Sequence, residues 1–369
     1  MRTIQQIKYR RSKYVPLPLE KRSQHFVLLT VLVCASTTFS QVSTNSFEFQ
    51  QRTLNLPIRL AGDSFVGQSD GRLIIGGGRS DNQVNTDVFV GVPPDAFAWL
   101  KFELKTPVSW AGYVSGTLQE EGVSVTKLFV VGGRGTNGIV KTVQVLEWRK
   151  DKLVQSELPP LPIALCEPGV GFFEDQPQKQ LYVVGGVTAD AKVSRRVFRY
   201  SFKGSAPAWE ELLPMPGEGR ASPGVLCFYN DVHVFGGTTP GGKNTATALA
   251  YRWKVIDGTT FTGWRELAPM PVALCSPLVF QTGQVHAMVA GGHSCNDDSN
   301  PILVYHNVTD TWINKGSLPQ SLSCGAVLKL DGKQILIGSE CSRSEKTAFY
   351  MTVRRTAEKD DSDSSTLVQ

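Results

Sequence analysis

Arg220 and Glu340 are the side chains of this 369-residue sequence best suited to work on a polar ligand. Arg220 ends the turn Pro216-Gly-Glu-Gly-Arg220. A guanidinium there can grip a carboxylate through two parallel hydrogen bonds, or can pair structurally with nearby Glu218. Glu340, in Leu336-Ile-Gly-Ser-Glu340, can take a proton from a hydroxyl; the competing reading is a solvated turn glutamate. Arg134 and His293 each follow a glycine pair and could meet the same ligand or pair within their own loops. Serine-nucleophile, phosphate-loop and zinc-ligand motifs are absent, and the glycine pairs end apolar runs without opening helices. Five histidines, one of them His25 near the N-terminus, speak against a copper site built from Tyr and His. No cofactor or metal is expected.

A repeat must position these side chains. A short apolar run ending in glycine recurs six times: Leu73-Ile-Ile-Gly-Gly-Gly78, Leu128-Phe-Val-Val-Gly-Gly133, Leu181-Tyr-Val-Val-Gly-Gly186, Val232-His-Val-Phe-Gly-Gly237, Ala287-Met-Val-Ala-Gly-Gly292 and Ile335-Leu-Ile-Gly-Ser339. The spacing is roughly fifty residues, that of kelch repeats. A tryptophan and a proline turn complete the unit, as in Trp209-Glu-Glu-Leu-Leu-Pro-Met-Pro216 and Trp264-Arg-Glu-Leu-Ala-Pro-Met-Pro271. Each unit reads as four strands, and six such sheets set radially make an all-β, six-bladed kelch-type β-propeller over residues 41–356. Trp209, Trp264 and Trp312 are then blade packing. The sixth unit lacks its fourth strand, which Phe47-Glu-Phe-Gln-Gln-Arg52 can supply, so the ring is expected to be closed by an N-terminal strand. First and second strands of a blade run antiparallel, so the start of one lies beside the end of the other. Two sets of residues should therefore ring one mouth of the channel. One set lies four after the proline: Ala61, Ala111, Cys166, Arg220, Cys275 and Ser323. The other follows the glycines: Gly78, Arg134, Val187, Thr238, His293 and Glu340.

The segment from Glu210 to Pro240, with Pro-Met-Pro-Gly-Glu-Gly-Arg followed by Val-His-Val-Phe-Gly-Gly-Thr-Thr-Pro, resembles the Pro-Gly-x-x-Arg blade of bacterial N-acetylneuraminate epimerases, the secreted sialic acid mutarotases. The order of units is similar to the cyclically permuted branch of that family: Trp110-Ala-Gly-Tyr-Val-Ser115 and Lys127 to Glu147 match what unpermuted enzymes carry at their C-terminal end. The resemblance covers most of residues 47 to 355. It implies mutarotation of N-acetylneuraminate or a related sialic acid, Glu340 as proton acceptor and Arg220 on the substrate carboxylate. Lys346 falls where the family has an arginine before Thr, and Trp110 stands where the enzymes have an arginine. The family's Asp-Gln after the turn arginine is Ala221-Ser222. The alternative is a secreted kelch module that binds a glycan or a protein without turnover.

The formal charge of +5 is concentrated at the N-terminus: residues 1–40 carry seven basic groups and one acid, leaving the remainder close to neutral and without a footprint for nucleic acid. The basic stretch, the apolar run Phe26 to Ala35 and the small residues after it read as a secretory signal cleaved near Ser40. An extracellular or periplasmic protein is expected, with no membrane contact once mature; an uncleaved anchor is the competitor, and a homodimer is left open. Residues 357–369 read as a disordered acidic, Ser-rich tail. Six cysteines follow the leader, which permits disulfides in fifteen pairings, Cys295 with Cys341 among them. Cys227 reads as a buried thiol, while Cys166 and Cys275, in matching Pro-x-Ala-Leu-Cys runs, read first as repeat packing. Asn307-Val-Thr309 is an N-glycosylation acceptor sequence.

Overall fold

The computed structural model describes residues 46–58, 63–80, 83–91, 99–174, 179–202, 207–256, 259–294, 300–319, 321–330, 333–339 and 347–356. The expected leader and tail, and with them Glu340, Lys346, Cys295, Cys341 and Ala61, lie outside these. Among the described residues every regular element is a strand, and the strands form six four-stranded antiparallel sheets and three short two-stranded ones. Blade 1 runs through Ser64–Ser69, Arg72–Gly77, Asp87–Gly91 and Leu100–Glu103. Blade 2 comprises Gly112–Glu120, Val123–Val131, Val143–Arg149 and Lys152–Leu158. Blade 3 follows with Gly169–Phe173, Gln180–Val184, Val197–Ser201 and Trp209–Glu211. Blade 4 is Gly224–Phe228, Asp231–Phe235, Ala248–Ile256 and Thr259–Leu267, and blade 5 is Leu278–Gln281, His286–Ala290, Pro301–His306 and Thr311–Ser317. Blade 6 has Cys324–Leu330, Lys333–Ser339 and Thr347–Thr356 from the end of the chain, and its outermost strand is Ser46–Asn55, paired with Thr347–Thr356 over ten residues. The expected N-terminal strand is in place.

The first strand of each blade lies innermost and packs against the first strand of the next, and that of blade 6 packs against that of blade 1. No ladder runs from sheet to sheet among the described residues. What fills the interfaces is apolar: each core cluster lies between two blades. Alternation along the strand puts Leu73 and Ile75 against Leu328, Ile335 and Ile337 of blade 6, and Ile74 against Leu128 and Val130 of blade 2. A strand buried on both faces reads as the continuous apolar run seen before each glycine pair.

The glycines follow from the same geometry. Gly236 and Gly237 have φ of 60° and 103°, a region that side chains with a Cβ avoid, and a Cβ on Gly236 would run into the Leu274 carbonyl. The N–H of Gly237 donates to that carbonyl at 2.8 Å, across the blade boundary. The bond recurs from Gly78 to Val108 at 3.1 Å, Gly133 to Leu165 at 2.7 Å, Gly186 to Arg220 at 2.8 Å and Gly292 to Leu322 at 2.8 Å. The tryptophans pack as expected. The indole N–H groups of Trp209, Trp264 and Trp312 donate to the carbonyls of Pro159, Leu213 and Ala268, and each ring lies about 5 Å from the tyrosine opposite it, Tyr200, Tyr251 or Tyr305.

Two sequence features fall inside the blade 4–5 interface. Asn307 of the glycosylation sequence is buried, and its Oδ1 lies 3.0 Å from Nε2 of His233. In the folded chain it is therefore not offered to solvent. His233 is fully buried between Phe228 and Phe235, and burial lowers its pKa to about 4.

Removing residues 47–52 should lower Tm in one cooperative step, because it strips the sixth sheet of its outer strand; a variant that melts like the parent would count against the closure. For His233, the unfolded chain binds a proton near its ordinary pKa of about 6.5 and the folded chain only near 4, so stability falls as pH drops through that window and this group adds no further loss below it. The span corresponds to about 3 kcal/mol. His233→Gln should flatten the slope of denaturation free energy between pH 6.5 and 4; an unchanged slope would assign it to other groups.

Candidate functional site: the polar mouth of the channel

Of the six pairs expected around one mouth, two form as expected, Cys166 with Val187 and Cys275 with His293. Antiparallel bridges join Ser109 to Arg134, Cys166 to Val187, Ala221 to Thr238 and Cys275 to His293. The Cys275 and His293 main chains exchange hydrogen bonds of 3.0 and 2.8 Å. The count of four from the proline holds for Cys166 and Cys275 but misplaces two members. Blade 2 bridges through Ser109, not Ala111, and blade 4 through Ala221, not Arg220. The physical reason is turn length, since Pro216-Gly-Glu-Gly-Arg220 holds one residue more than Pro162-Ile-Ala-Leu165 or Pro271-Val-Ala-Leu274 before the carbonyl that receives the glycine N–H.

That extra residue moves Arg220 off the mouth. It occupies the buried position taken elsewhere by Leu165, Leu274 and Leu322, with 4% of its surface exposed. Its Nη1 donates to the carbonyls of Thr247 at 2.9 Å and Gly236 at 3.3 Å, within its own blade. Burial lowers its pKa to about 10. Arg220 is not on the wall of the mouth cavity, and Glu218 is not its partner in any described contact.

The residues that do face the channel come one step after each bridge. Trp110, Glu167, Ser222 and Ser276 have φ of 54°, 54°, 47° and 49°. Each donates its N–H to the carbonyl of its predecessor around the ring: Trp110 to Asp63 at 2.9 Å, Glu167 to Trp110 at 2.7 Å, Ser222 to Glu167 at 2.8 Å and Ser276 to Ser222 at 2.8 Å. This belt crosses four blade boundaries and fixes left-handed backbone at four residues that have a Cβ, a conformation that costs about 1–3 kcal/mol apiece. Within the belt lies a cavity of about 220 Å³, lined by these four side chains and Ser323. Its floor carries Val66, Tyr113, Val170, Val225 and Val279. The Tyr113 hydroxyl reaches past blade 1 to donate to the Gly325 carbonyl at 2.8 Å. Beyond the valines the channel opens again into about 450 Å³ towards the other end.

Among the described residues, Glu167 is the only charged side chain on the wall of the mouth cavity. The Ser222 hydroxyl donates to its Oε2 at 3.1 Å. Behind it, burial first and then the Glu167 charge push the Cys166 thiol up to about 11, against the opposing pull of Arg134. Arg134 and Glu167 thus act on one sulfur in opposite senses. Cys166 stays a neutral thiol near pH 7, and neither it nor Cys227, which packs at the blade 3–4 core and is pushed well up by burial, joins a disulfide. The six cysteines therefore do not make three bridges. No cluster suited to a metal ion occurs among the described residues.

Of the side chains expected to serve a ligand, Trp110 lines the cavity and is partly exposed, while Arg134 and His293 stand exposed on the rim, the His293 carbonyl receiving the Asn244 amide at 2.7 Å. Glu340 and Lys346 lie outside the described residues. Glu167, Ser222 and Ser276 were not expected. The signal for them was the recurring Cys-Glu-Pro, Ala-Ser-Pro and Cys-Ser-Pro after each turn, one residue beyond the matching cysteines.

No family model matches the sequence, and none of the curated proteins does. Among solved structures the chain is similar to one titled "Structure of YjhT", with a TM-score of 0.60 over 83% of this chain and 97% of that one, at 16% identity. The likeness is one of fold. The chain is a six-bladed β-propeller of kelch type.

The Cys166 thiol should titrate near pH 11, visible as thiolate absorbance at 240 nm in the difference between the parent and Cys166→Ser. Glu167→Gln removes the nearby negative charge and should move that titration to lower pH. A midpoint near the ordinary 8.5 in the parent would contradict the buried placement.

Proposed function

We propose that the chain is a mutarotase, interconverting the α and β anomers of N-acetylneuraminate or a related sialic acid without a cofactor. The observation that carries this is the mouth cavity, where a carboxylate steadied by a serine hydroxyl borders a space fit for one small polar ligand. The Pro-Gly-Glu-Gly-Arg turn and the permuted order of units support the substrate class, and the likeness to YjhT supports the scaffold. Opening a pyranose needs a group that takes the anomeric hydroxyl proton and a proton for the ring oxygen. The resemblance nominates Glu340 for the first part, with Trp110, His293 and Lys346 as further contacts. It nominates Arg220 for the substrate carboxylate, but that guanidinium is engaged with the main chain of blade 4. We therefore put Arg134, exposed on the rim beside Cys166, on the carboxylate.

A second reading, a kelch module that binds a glycan or a protein without turnover, is favoured by one observation: the mouth wall carries Trp110 where the family has an arginine. Proton NMR of anomer exchange, started from α-N-acetylneuraminate freshly released by a sialidase, separates the two. The enzyme should bring the exchange rate well above the buffer value, and Arg134→Lys, which keeps charge but loses the planar fork, should chiefly raise KM. A rate that stays at the buffer value defeats the mutarotase reading for this substrate.

A further inference from the structure

We infer that Glu167 is the catalytic residue that moves the proton in this reaction, and that Ser222 positions it. The inference rests on the mutarotase reading and departs from the resemblance, which gives the part to Glu340. Four observations lead to it. Glu167 lies on the cavity wall and is the charged group there among the described residues. One carboxylate oxygen, Oε2, receives the Ser222 hydroxyl at 3.1 Å, which leaves Oε1 for a ligand. Its backbone is tied on both sides, its N–H to the Trp110 carbonyl at 2.7 Å and its carbonyl to the Ser222 N–H at 2.8 Å, so the side chain starts from a fixed point. The Arg134 side chain reaches the sulfur of Cys166, the residue before Glu167. A sialic acid carries its carboxylate on the anomeric carbon, so a guanidinium beside a proton acceptor matches the two groups that must be met together.

The chemistry balances with one carboxylate. Glu167 takes the proton of the anomeric hydroxyl, that C–O bond becomes a carbonyl, and the bond from the anomeric carbon to the ring oxygen breaks with its electron pair remaining on the oxygen. The alkoxide so formed takes the proton back from Glu167. The carbonyl turns its other face, and the same steps in reverse close the ring to the other anomer. Nothing is consumed, and Glu167 ends as a carboxylate. The mouth is strained backbone held by the belt, the sort of preorganisation that keeps a proton acceptor in place.

The test uses the full chain and the anomer-exchange assay, with a thermal melt of each variant. Glu167→Gln should lose on the order of 10²-fold of the acceleration while still binding N-acetylneuraminate by saturation-transfer NMR. Ser222→Ala should lower kcat with little change in KM, a split that a merely structural serine would not produce. If Glu167→Gln keeps the parent's kcat, or if Glu340→Gln alone abolishes the acceleration, the inference falls while the mutarotase reading stands. If the parent gives no acceleration, both fall. Should Glu167→Gln fail to fold, Ser222→Ala decides, and an unchanged kcat there overturns the assignment.

Discussion

The hydrogen bond from the second glycine of each pair to a carbonyl in the next blade is the contact on which the ring depends. Taken singly it is worth about 1 kcal/mol, no more than other buried amide bonds. Its importance is positional. The bond requires the two backbones to approach with no Cβ between them, and that approach sets how far one sheet stands from the next. Only at that spacing do Ile74 of blade 1 and Leu128 of blade 2, or Val234 of blade 4 and Tyr182 of blade 3, share a core. The mouth is built from the same contact. In blades 2 to 5 the belt residue lies two positions after the carbonyl that accepts the glycine N–H: Trp110 after Val108, Glu167 after Leu165, Ser222 after Arg220, Ser276 after Leu274.

Much of this was legible in the residues because the blade repeats. Six glycine runs, the tryptophans and the missing last strand each say the same thing about architecture, and errors in one unit are corrected by the others. The mouth is less forgiving. Its register depends on the length of the turn after each proline, and those turns differ, so a count that works for Cys166 and Cys275 fails for Arg220 by a single residue. A slip of one position is enough to carry a guanidinium from the channel into the interior. Glu167 is hidden for the opposite reason, since it sits beside a cysteine whose match with Cys275 points to packing.

The placement of Arg220 shows how a buried cation is satisfied mainly by main-chain oxygens, with the Glu266 charge acting on it as well. Two main-chain carbonyls of its own blade accept its hydrogen bonds, and low polarity around it weakens its hold on the proton. A residue doing this holds blade 4 together near the glycine pair. It sits where other blades use leucine, so the position itself asks for bulk, and the arginine supplies bulk through its stem and satisfaction through its head.

The pairing of Ser46–Asn55 with Thr347–Thr356 has a consequence in time. The first strand of the ring emerges from the ribosome well before its partner, and at about 5–20 residues per second the interval is roughly 15–60 s. Throughout it, five blades can assemble in order while the opening strand stands without a ladder and blade 6 does not exist. The strands of blade 6 therefore complete two things at once, the sixth sheet and the sixth interface, so that a chain cut short anywhere in blade 6 leaves an open arc with an apolar face at either end. Assembly of the six-bladed ring thus waits on Thr347–Thr356, however early the other blades are in place.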